Sequence, residues 1–409
     1  MLNVLNDKGL CNTLFWNIMQ KISERIYSVG VNDSDKVLFE GLWPLPYGVS
    51  YNSYLVVDEK VALIDTVEAG FEDEFLENIS QAIGDRAIDY LVVNHMEPDH
   101  SSLVGYMLDK YPGLQIVANA KTVPMLQGYY GTPKEKISVM ADGESLSLGG
   151  ATLSFHMIPM VHWPETMVTW LQEEQTVFSG DAFGTFGVVG EDIVDSEETF
   201  DLYRDEMIRY YSNIVGKYGT PVQSALKKLA GFPLARICST HGPVWEKNLA
   251  EVVGLYDKLS RYEVERGVCI VYGSMYGNTA AAADALVLEL EARGIPCVVH
   301  DLAGNNAGEL GISGAIRDAF KYDTIIAGSP TYNNGIFPPV ETFMKALKSR
   351  LIKGRRFYAF GSYTWAGSSV NQLNALAQEM GFELLGSGTS FAQAYSCDKF
   401  NASAIADLV

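Results

Sequence analysis

Apolar, strand-like runs recur along the whole chain, and their spacing changes once. From Gly267 onward a helical stretch follows most runs: GVCIVYG then 278–293, CVVH then a short helix, TIIAGSP then 340–350, RFYAFGS then 370–380. Parallel strands need a crossover of about this length, so the rhythm predicts a doubly wound parallel sheet. Before Gly267 the runs SYLVV, VALID, YLVVN, QIVAN, TLSFHMI, MVTWL, TVFSG and RICST come largely in neighbouring pairs, as hairpins do. Helical stretches stand at 71–82, 101–110, 200–215 and 244–259. This arrangement favours an α/β unit of sheets packed face to face with helices outside. The polar string SRYEVER at 260–266 is the expected link, giving domains at 20–262 and 263–409. Residues 1–19 match no pattern and are read as an extension of uncertain role, with Met19 as a candidate start.

Charge supports the division. The formal net charge is −20, from 30 Lys+Arg and 50 Asp+Glu. From Gly267 onward 10 basic residues face 12 acidic ones, leaving 20 against 38 before it. Such an acidic chain offers no basic surface for nucleic acid or an anionic membrane, so neither is expected as a partner. No apolar run reaches membrane-spanning length and the start lacks a basic, signal-like segment, so the expected location is the cytoplasm. The five cysteines form no Cys-x-x-Cys pair, and Cys238, Cys269 and Cys297 sit in apolar strand-like runs. They read as free thiols in a reducing compartment.

Four of the six histidines stand in metal-like contexts. His95, Glu97, Asp99 and His100 fall within six residues directly after the strand YLVVN. A strand end running into a loop projects alternate side chains to one side, so His95, Glu97 and Asp99 can converge, with His100 at the start of the next helix. His162 follows in VHWPE, Asp181 in SGDAFG and His241 in STHGP, each at or just after an apolar strand. Four imidazoles and three carboxylates exceed the needs of one tetrahedral ion and suit two ions sharing a bridging carboxylate. Without thiolates, iron, manganese and zinc all fit, and the carboxylate share tilts toward the harder, redox-active ions. A lone histidine at a strand end is usually satisfied locally, and His156 and His300 are read that way.

The second unit opens with a strand, the loop Ser274, Met275, Tyr276, Gly277, Asn278 and Thr279, and then a helix. Backbone N–H groups and hydroxyls at a helix N-terminus cradle a phosphate without a lysine. Two further loops, Pro330, Thr331, Tyr332, Asn333, Asn334 and Gly335, and Ser362, Tyr363, Thr364, Trp365, Ala366 and Gly367, also follow strands. A doubly wound sheet binds its ligand at the carboxyl ends of its strands. Taken singly, Tyr332, Tyr363 and Trp365 are as readily packing aromatics. The basic run Lys345, Lys348, Arg350, Lys353, Arg355 and Arg356 lies at the other end of this sheet and reads as a solvated helix end.

The histidine string resembles the metallo-β-lactamase motif His-x-His-x-Asp-His, followed by a later His, an Asp and a last His. Glu97 in place of the second His, HWP at 162–164 and GDAFG at 180–184 make it similar to the flavodiiron proteins, or A-type flavoproteins. The resemblance runs from about Ile22 to the C-terminus and includes a flavodoxin-like second unit. It implies a metallo-β-lactamase-like αββα sandwich joined to a flavodoxin-like doubly wound sheet. It also implies iron held by His95, Glu97 and His162, a second iron held by Asp99, His100 and His241, and Asp181 bridging them. The three loops of the second unit then hold FMN. Two ferrous ions and reduced FMN carry four electrons between them, enough to reduce dioxygen to water. Two electrons reduce a pair of nitric oxide molecules to nitrous oxide. A head-to-tail homodimer is implied, with a separate donor such as rubredoxin or a reduced deazaflavin. Two other readings remain open on the residues alone: a zinc hydrolase with a flavodoxin unit, and an electron carrier with an inactive metal unit. A flavin spectrum and an iron assay separate the three.

Overall fold

A computed structural model describes residues 19–304 and 308–409, and the elements given below are those of these residues. Apart from Met19, the expected extension at 1–19 lies outside the described residues, as does Cys11. The chain divides into two compact units. One takes the chain up to Val37, Tyr47–Tyr210 and Thr220–Asp257, and the other takes Leu38–Pro46, Tyr211–Gly219 and Lys258–Val409.

The first unit holds two main sheets and a two-stranded one, Val31–Asp33 with Val49–Tyr51. The larger has strand order Gln20–Lys21, Ile26–Ser28, Tyr54–Val57, Val61–Ile64, Tyr90–Val92, Gln115–Asn119, Ile137–Met140. The smaller runs Ser145–Ser147, Thr152–Met157, Met167–Leu171, Thr176–Gly180, Arg236–Ser239. The expected hairpins are present, with Tyr54–Val57 antiparallel to Val61–Ile64 and Thr152–Met157 antiparallel to Met167–Leu171. Where a helix intervenes the pairing turns parallel, as between Thr176–Gly180 and Arg236–Ser239. Ile26, Val56, Ile64, Val92 and Val117 of one sheet share a buried cluster with Leu153, Phe155, Met167, Phe178 and Cys238 of the other. That shared core makes the unit a sandwich, the expected αββα architecture. Helix Glu72–Ile83 buries Phe75, Asn78, Ile79 and Ile83, one face of a 3.6-residue repeat. Glu72, Asp73 and Glu74 complement its N-terminal dipole.

Some helix limits differ from the sequence reading for identifiable reasons. The helix expected at 244–259 begins later, at Leu249. The Asp195 carboxylate accepts the N–H groups of Glu246, Lys247 and Asn248 at 2.8–3.2 Å, holding that stretch outside the helix. The stretch at 200–215 is α-helical only over Thr199–Tyr210 and then widens into a π-turn at Tyr211–Val215. The helices Thr122–Tyr130 and Gly219–Leu229 had no place in the sequence reading.

The second unit is a parallel sheet, ordered Cys297–Asp301, Glu265–Tyr272, Tyr322–Gly328, Arg356–Tyr363, with Glu383–Leu384 and Thr389–Ala392 both alongside the last. The second strand in sequence lies outside the first, so the order reverses beside Glu265–Tyr272, as in flavodoxin-like sheets. Val268, Ile270 and Ile326 are fully buried, as central parallel strands require. Helix Asn278–Ala292 covers them with Ala282, Ala283, Leu286 and Leu290 and stops before Gly294, whose φ of 65° suits glycine.

The reading of the basic run as a solvated helix end fails for two members. Arg350 and Arg355 are buried. Arg355 donates to the carbonyls of Ala319 (2.8 Å), Phe320 (2.9 Å), Tyr262 (3.1 Å) and Lys353 (2.5 Å). Arg350 donates to Ser212 O at 2.7 Å and lies over the Trp43 ring at 5.2 Å. Arg350 thus ties Trp43 and Ser212, which precede the linker in sequence, into the second unit. Fixed forks with several donors suit this work, and no periodicity in the sequence announces it. Replacing Arg355 with methionine leaves four carbonyls without that donor. Urea unfolding of the full chain is expected to show a loss of about 3–5 kcal/mol. The exposed neighbour variant Lys345→Ala is expected to stay within about 0.5 kcal/mol.

Candidate metal centre and cofactor loops

All seven expected metal ligands are buried and converge at the carboxyl ends of strands in the first unit. Tyr90–Val92 delivers His95 and Glu97 on the following loop. Pro98 then starts a short helix, Pro98–Ser101, that carries Asp99 and His100. Pro at this position costs no hydrogen bond and presets the backbone. The Ser101 hydroxyl donates to Met96 O and Glu97 O at 2.9 and 3.0 Å, closing the loop against the helix. Asp181 follows Thr176–Gly180, and His241 follows Arg236–Ser239.

Two groups result: His95, Glu97, His162 and Asp181, and Asp99, His100 and His241. In the first, Glu97 Oε2 lies 3.3 Å from His95 Nε2 and 3.0 Å from His162 Nε2. In the second, Asp99 Oδ2 lies 3.3 Å from His100 Nε2 and 3.4 Å from His241 Nε2. Asp181 stands between them. Its Oδ2 faces His95 and His162 Nε2 at 3.4 and 3.0 Å. Its Oδ1 faces His100 and His241 Nε2 at 3.1 and 3.9 Å and accepts from Thr240 Oγ1 at 2.6 Å.

The electrostatics of this cluster pull against burial. Burial alone would raise Asp181, but His95 and His100 more than offset it and hold the carboxyl well below the usual range. Burial works against protonated His162, yet Asp181 and Glu97 push it up to about 9. His100 rises likewise to about 9 beside Asp99 and Asp181. Two observations show that the donor set fits metal ions. Both carboxylate oxygens of Asp99 are buried without a hydrogen-bond partner among the described residues. His100 Nε2 and His241 Nε2 point at each other across 3.0 Å, which suits a shared cation.

Several residues around the cluster escaped the sequence reading. Glu165 accepts from His95 Nδ1 and from the Met96 N–H, each at 3.0 Å. The Ser50 carbonyl faces His241 Nδ1 at 2.7 Å, and the Tyr51 and Tyr210 rings lie 5.9 and 5.4 Å from the His241 ring. Asp65, which burial raises to about 6, accepts from the Asn94 N–H at 2.8 Å. Glu165 stands three residues after His162 in HWPE and was open to notice; Ser50 acts through its backbone and leaves no side-chain signal. His156 and His300 are satisfied locally, by Ser154 at 3.0 Å and Asp318 at 2.8 Å.

The three loops expected to hold a cofactor all follow strands of the second unit's sheet. Gly277 has φ 85° and open space where a Cβ would stand, and as the residue before the helix it offers no side-chain cap of its own. Ser274 Oγ accepts from the N–H groups of Gly277 and Ala280 at 3.1 and 3.3 Å. Thr279 is buried and joins Ser362 hydroxyl to hydroxyl at 3.0 Å, tying the first loop to the third. The second loop is a hairpin whose corner residues, Asn333 and Asn334, have φ of 49° and 57°. Thr331 Oγ1 accepts from Ser368 N at 3.1 Å, and Asn334 O accepts from Ser368 Oγ and Gln372 Nε2, each at 2.8 Å, tying it to the start of the helix that follows the third. Pro330 is buried; Met275, Thr364, Ala366 and Gly367 are exposed. Tyr276 and Trp365 are 89% and 88% exposed, too far out for simple packing aromatics. Tyr332 is partly exposed and Tyr363 half-buried.

Comparison with known proteins agrees with both halves. A family model described as ODP family beta lactamase matches residues 49–242, and one for flavodoxin matches 270–401. The anaerobic nitric oxide reductase flavorubredoxin of Vibrio vulnificus is 31% identical over 368 residues, which is 88% of this chain and 73% of that one. Its Escherichia coli counterpart is 31% identical over 373 residues, 89% of this chain and 76% of that one. Among solved structures, rubredoxin oxygen:oxidoreductase of Desulfovibrio gigas superposes with a TM-score of 0.89 at 27% identity, covering 96% of this chain and 97% of that one. The flavodiiron protein of Giardia intestinalis gives 0.87 at 26%, covering 95% of each. With a β-lactamase-like unit joined to a flavodoxin unit, and 31% identity to flavorubredoxins over 73–76% of their length, this chain belongs to the flavodiiron protein family.

Proposed function

We propose that this chain reduces dioxygen, nitric oxide or both at a pair of irons supplied with electrons by FMN. The observation that carries the reading is Asp181, whose two oxygens face two separate histidine pairs within one buried cluster. On this reading His95, Glu97 and His162 hold one ion, Asp99, His100 and His241 the other, and Asp181 both. The backbone and hydroxyls at 274–279 receive the FMN phosphate, and the loops at 330–335 and 362–367 flank its ring. When bound, these groups supply up to four electrons, which with four protons take one dioxygen to two waters. Taken two at a time with two protons, the electrons convert two nitric oxides to nitrous oxide and water.

The chain's own part is to hold charge and exclude water. Burial of the seven side chains keeps bulk water from the ligands and strengthens every electrostatic interaction among them. Thr240 donates to Asp181 Oδ1 and so fixes the orientation of the carboxylate between the two histidine pairs. The names of the relatives support both gases, since one is a nitric oxide reductase and another an oxygen oxidoreductase. Rubredoxin in the Desulfovibrio gigas name supports rubredoxin as donor, with a reduced deazaflavin as the second candidate. Among the described residues no helix is long and apolar enough to cross a membrane. The described cysteines are free, with Cys238 and Cys269 buried, which supports a cytoplasmic location. The proposed domain limits are 20–262 and 263–409.

Asp181→Asn keeps the side-chain shape but removes its charge and one acceptor oxygen. Iron content is expected to fall below one per chain and gas reduction by more than about 100-fold, with the flavin absorbance unchanged. Full activity in this variant would contradict the bridging role.

We further propose a head-to-tail homodimer in which the flavin of one chain serves the irons of the other. The metal residues and the flavin loops belong to different units, and one isologous contact would bring both flavin–iron pairs together. A chain with His95→Ala and His162→Ala is to be mixed with one carrying Ser274→Asp and Thr279→Asp. Each is inactive alone. Statistical mixing should restore about a quarter of wild-type activity, because half the dimers are mixed and each has one working pair. No recovery, with mixed dimers shown to form, rules out transfer between chains.

A further inference from the structure

On the reading above, the two metal positions have matching direct ligands: two imidazoles, one carboxylate of their own and one oxygen of Asp181. What lies behind those ligands does not match. His95 Nδ1 donates to Glu165 Oε1 at 3.0 Å, and the Glu165 side chain is fully buried. Among the described residues Glu165 Oε2 has no hydrogen-bond partner, and His95 is the one group ion-paired with this carboxylate. Its negative charge is therefore directed at a single imidazole. Behind the other position, His241 Nδ1 faces the neutral Ser50 carbonyl at 2.7 Å, and His100 Nδ1 is buried without a partner among the described residues. Asp65, the other buried carboxylate nearby, accepts from the Asn94 N–H and attracts His100 and His95 electrostatically, but among the described residues it makes no direct ion pair with either ring.

A carboxylate that accepts the outer N–H of an imidazole polarises the ring and makes its other nitrogen a stronger ligand. Hydrogen bonds to an ionised acceptor are roughly twice as strong as those to a neutral one. We propose that Glu165 makes the two positions unequal, so that the His95, Glu97 and His162 position takes up the first divalent ion and holds it more tightly than the Asp99, His100 and His241 position. Glu165 is here a positioning residue, acting through His95. The inference rests on the reading of these seven residues as ligands for two ions. Metal loading is then ordered, and the half-loaded protein is one defined species rather than a mixture.

Glu165→Gln separates charge from shape. The amide oxygen can occupy the place of Oε1 and accept from both His95 Nδ1 and the Met96 N–H, which leave from one acceptor atom. Glu165→Asp keeps the charge and shortens the arm. Full-length protein, stripped of metal with a chelator, is to be titrated anaerobically with cobalt(II) chloride against a competing fluorescent chelator. Wild type is expected to bind two cobalt ions in two resolved steps. In Glu165→Gln both still bind, but the first step weakens about 10- to 100-fold and the second changes less than about 3-fold. Glu165→Asp should recover part of the first-step affinity. Crystals of the wild-type protein with one equivalent of cobalt should show anomalous density at the His95, Glu97 and His162 position.

An unchanged first step in Glu165→Gln, or cobalt equal or greater at the other position, overturns the proposal while leaving the two-ion reading intact. Wild-type protein that binds fewer than two cobalt ions overturns that reading itself. If Glu165→Gln does not fold, the one-equivalent wild-type crystal decides alone.

Discussion

A carboxylate taken out of water must find a cation or a donor for each oxygen, and at Asp181 both oxygens find imidazoles. Three carboxylates and four histidines are packed together, and an uncompensated buried charge costs several kcal/mol. Such a cluster persists only when positive charge is shared among its members. Protons on His100 and His162, both pushed up to about 9, are one way to supply it; divalent ions are the other. The sandwich makes the arrangement affordable by its geometry. Strands of both sheets end near the cluster, so residues distant in sequence are brought together on short segments anchored by rigid strands.

Much of this was legible in the chain. His95, Glu97, Asp99 and His100 stand so close together that a strand end and one helical turn suffice to bring them round, and each later ligand sits beside an apolar run. The change of rhythm at Gly267 announced the second sheet because parallel strands cannot be joined without a crossover. What escaped are partners joined across sequence. The Asp195 carboxylate delays a helix more than fifty residues away, and Ser50 meets His241 through a carbonyl that any residue would offer. Arg350 and Arg355 look like any basic run at a helix end. Only the fold shows that their forks are spent on backbone carbonyls, and that Arg350 draws Leu38–Pro46 and Tyr211–Gly219 into the second unit.

The second unit solves the opposite problem. On the proposed reading its loops receive a phosphate with backbone N–H groups at a helix start and with hydroxyls. Gly277 in the left-handed region leaves room for a ligand, and Thr279 with Ser362 locks two loops to each other. Exposed Tyr276 and Trp365 mark the rim of the same loops, large aromatic surface held out of any core. One unit thus buries a cluster of imidazoles and carboxylates, while the other presents neutral polar groups and aromatic faces. That division is what a chain moving electrons from a flat organic cofactor to a metal pair requires.

The most direct test is the metal and flavin content of the full-length protein, expressed with both iron and zinc in the medium and purified without oxygen. The account predicts about two irons and about one FMN per chain, with the flavin lost on unfolding and the iron retained until then. Two zinc ions with no iron would contradict it, whatever the flavin content, because the same seven ligands would then serve a metal that cannot change its charge.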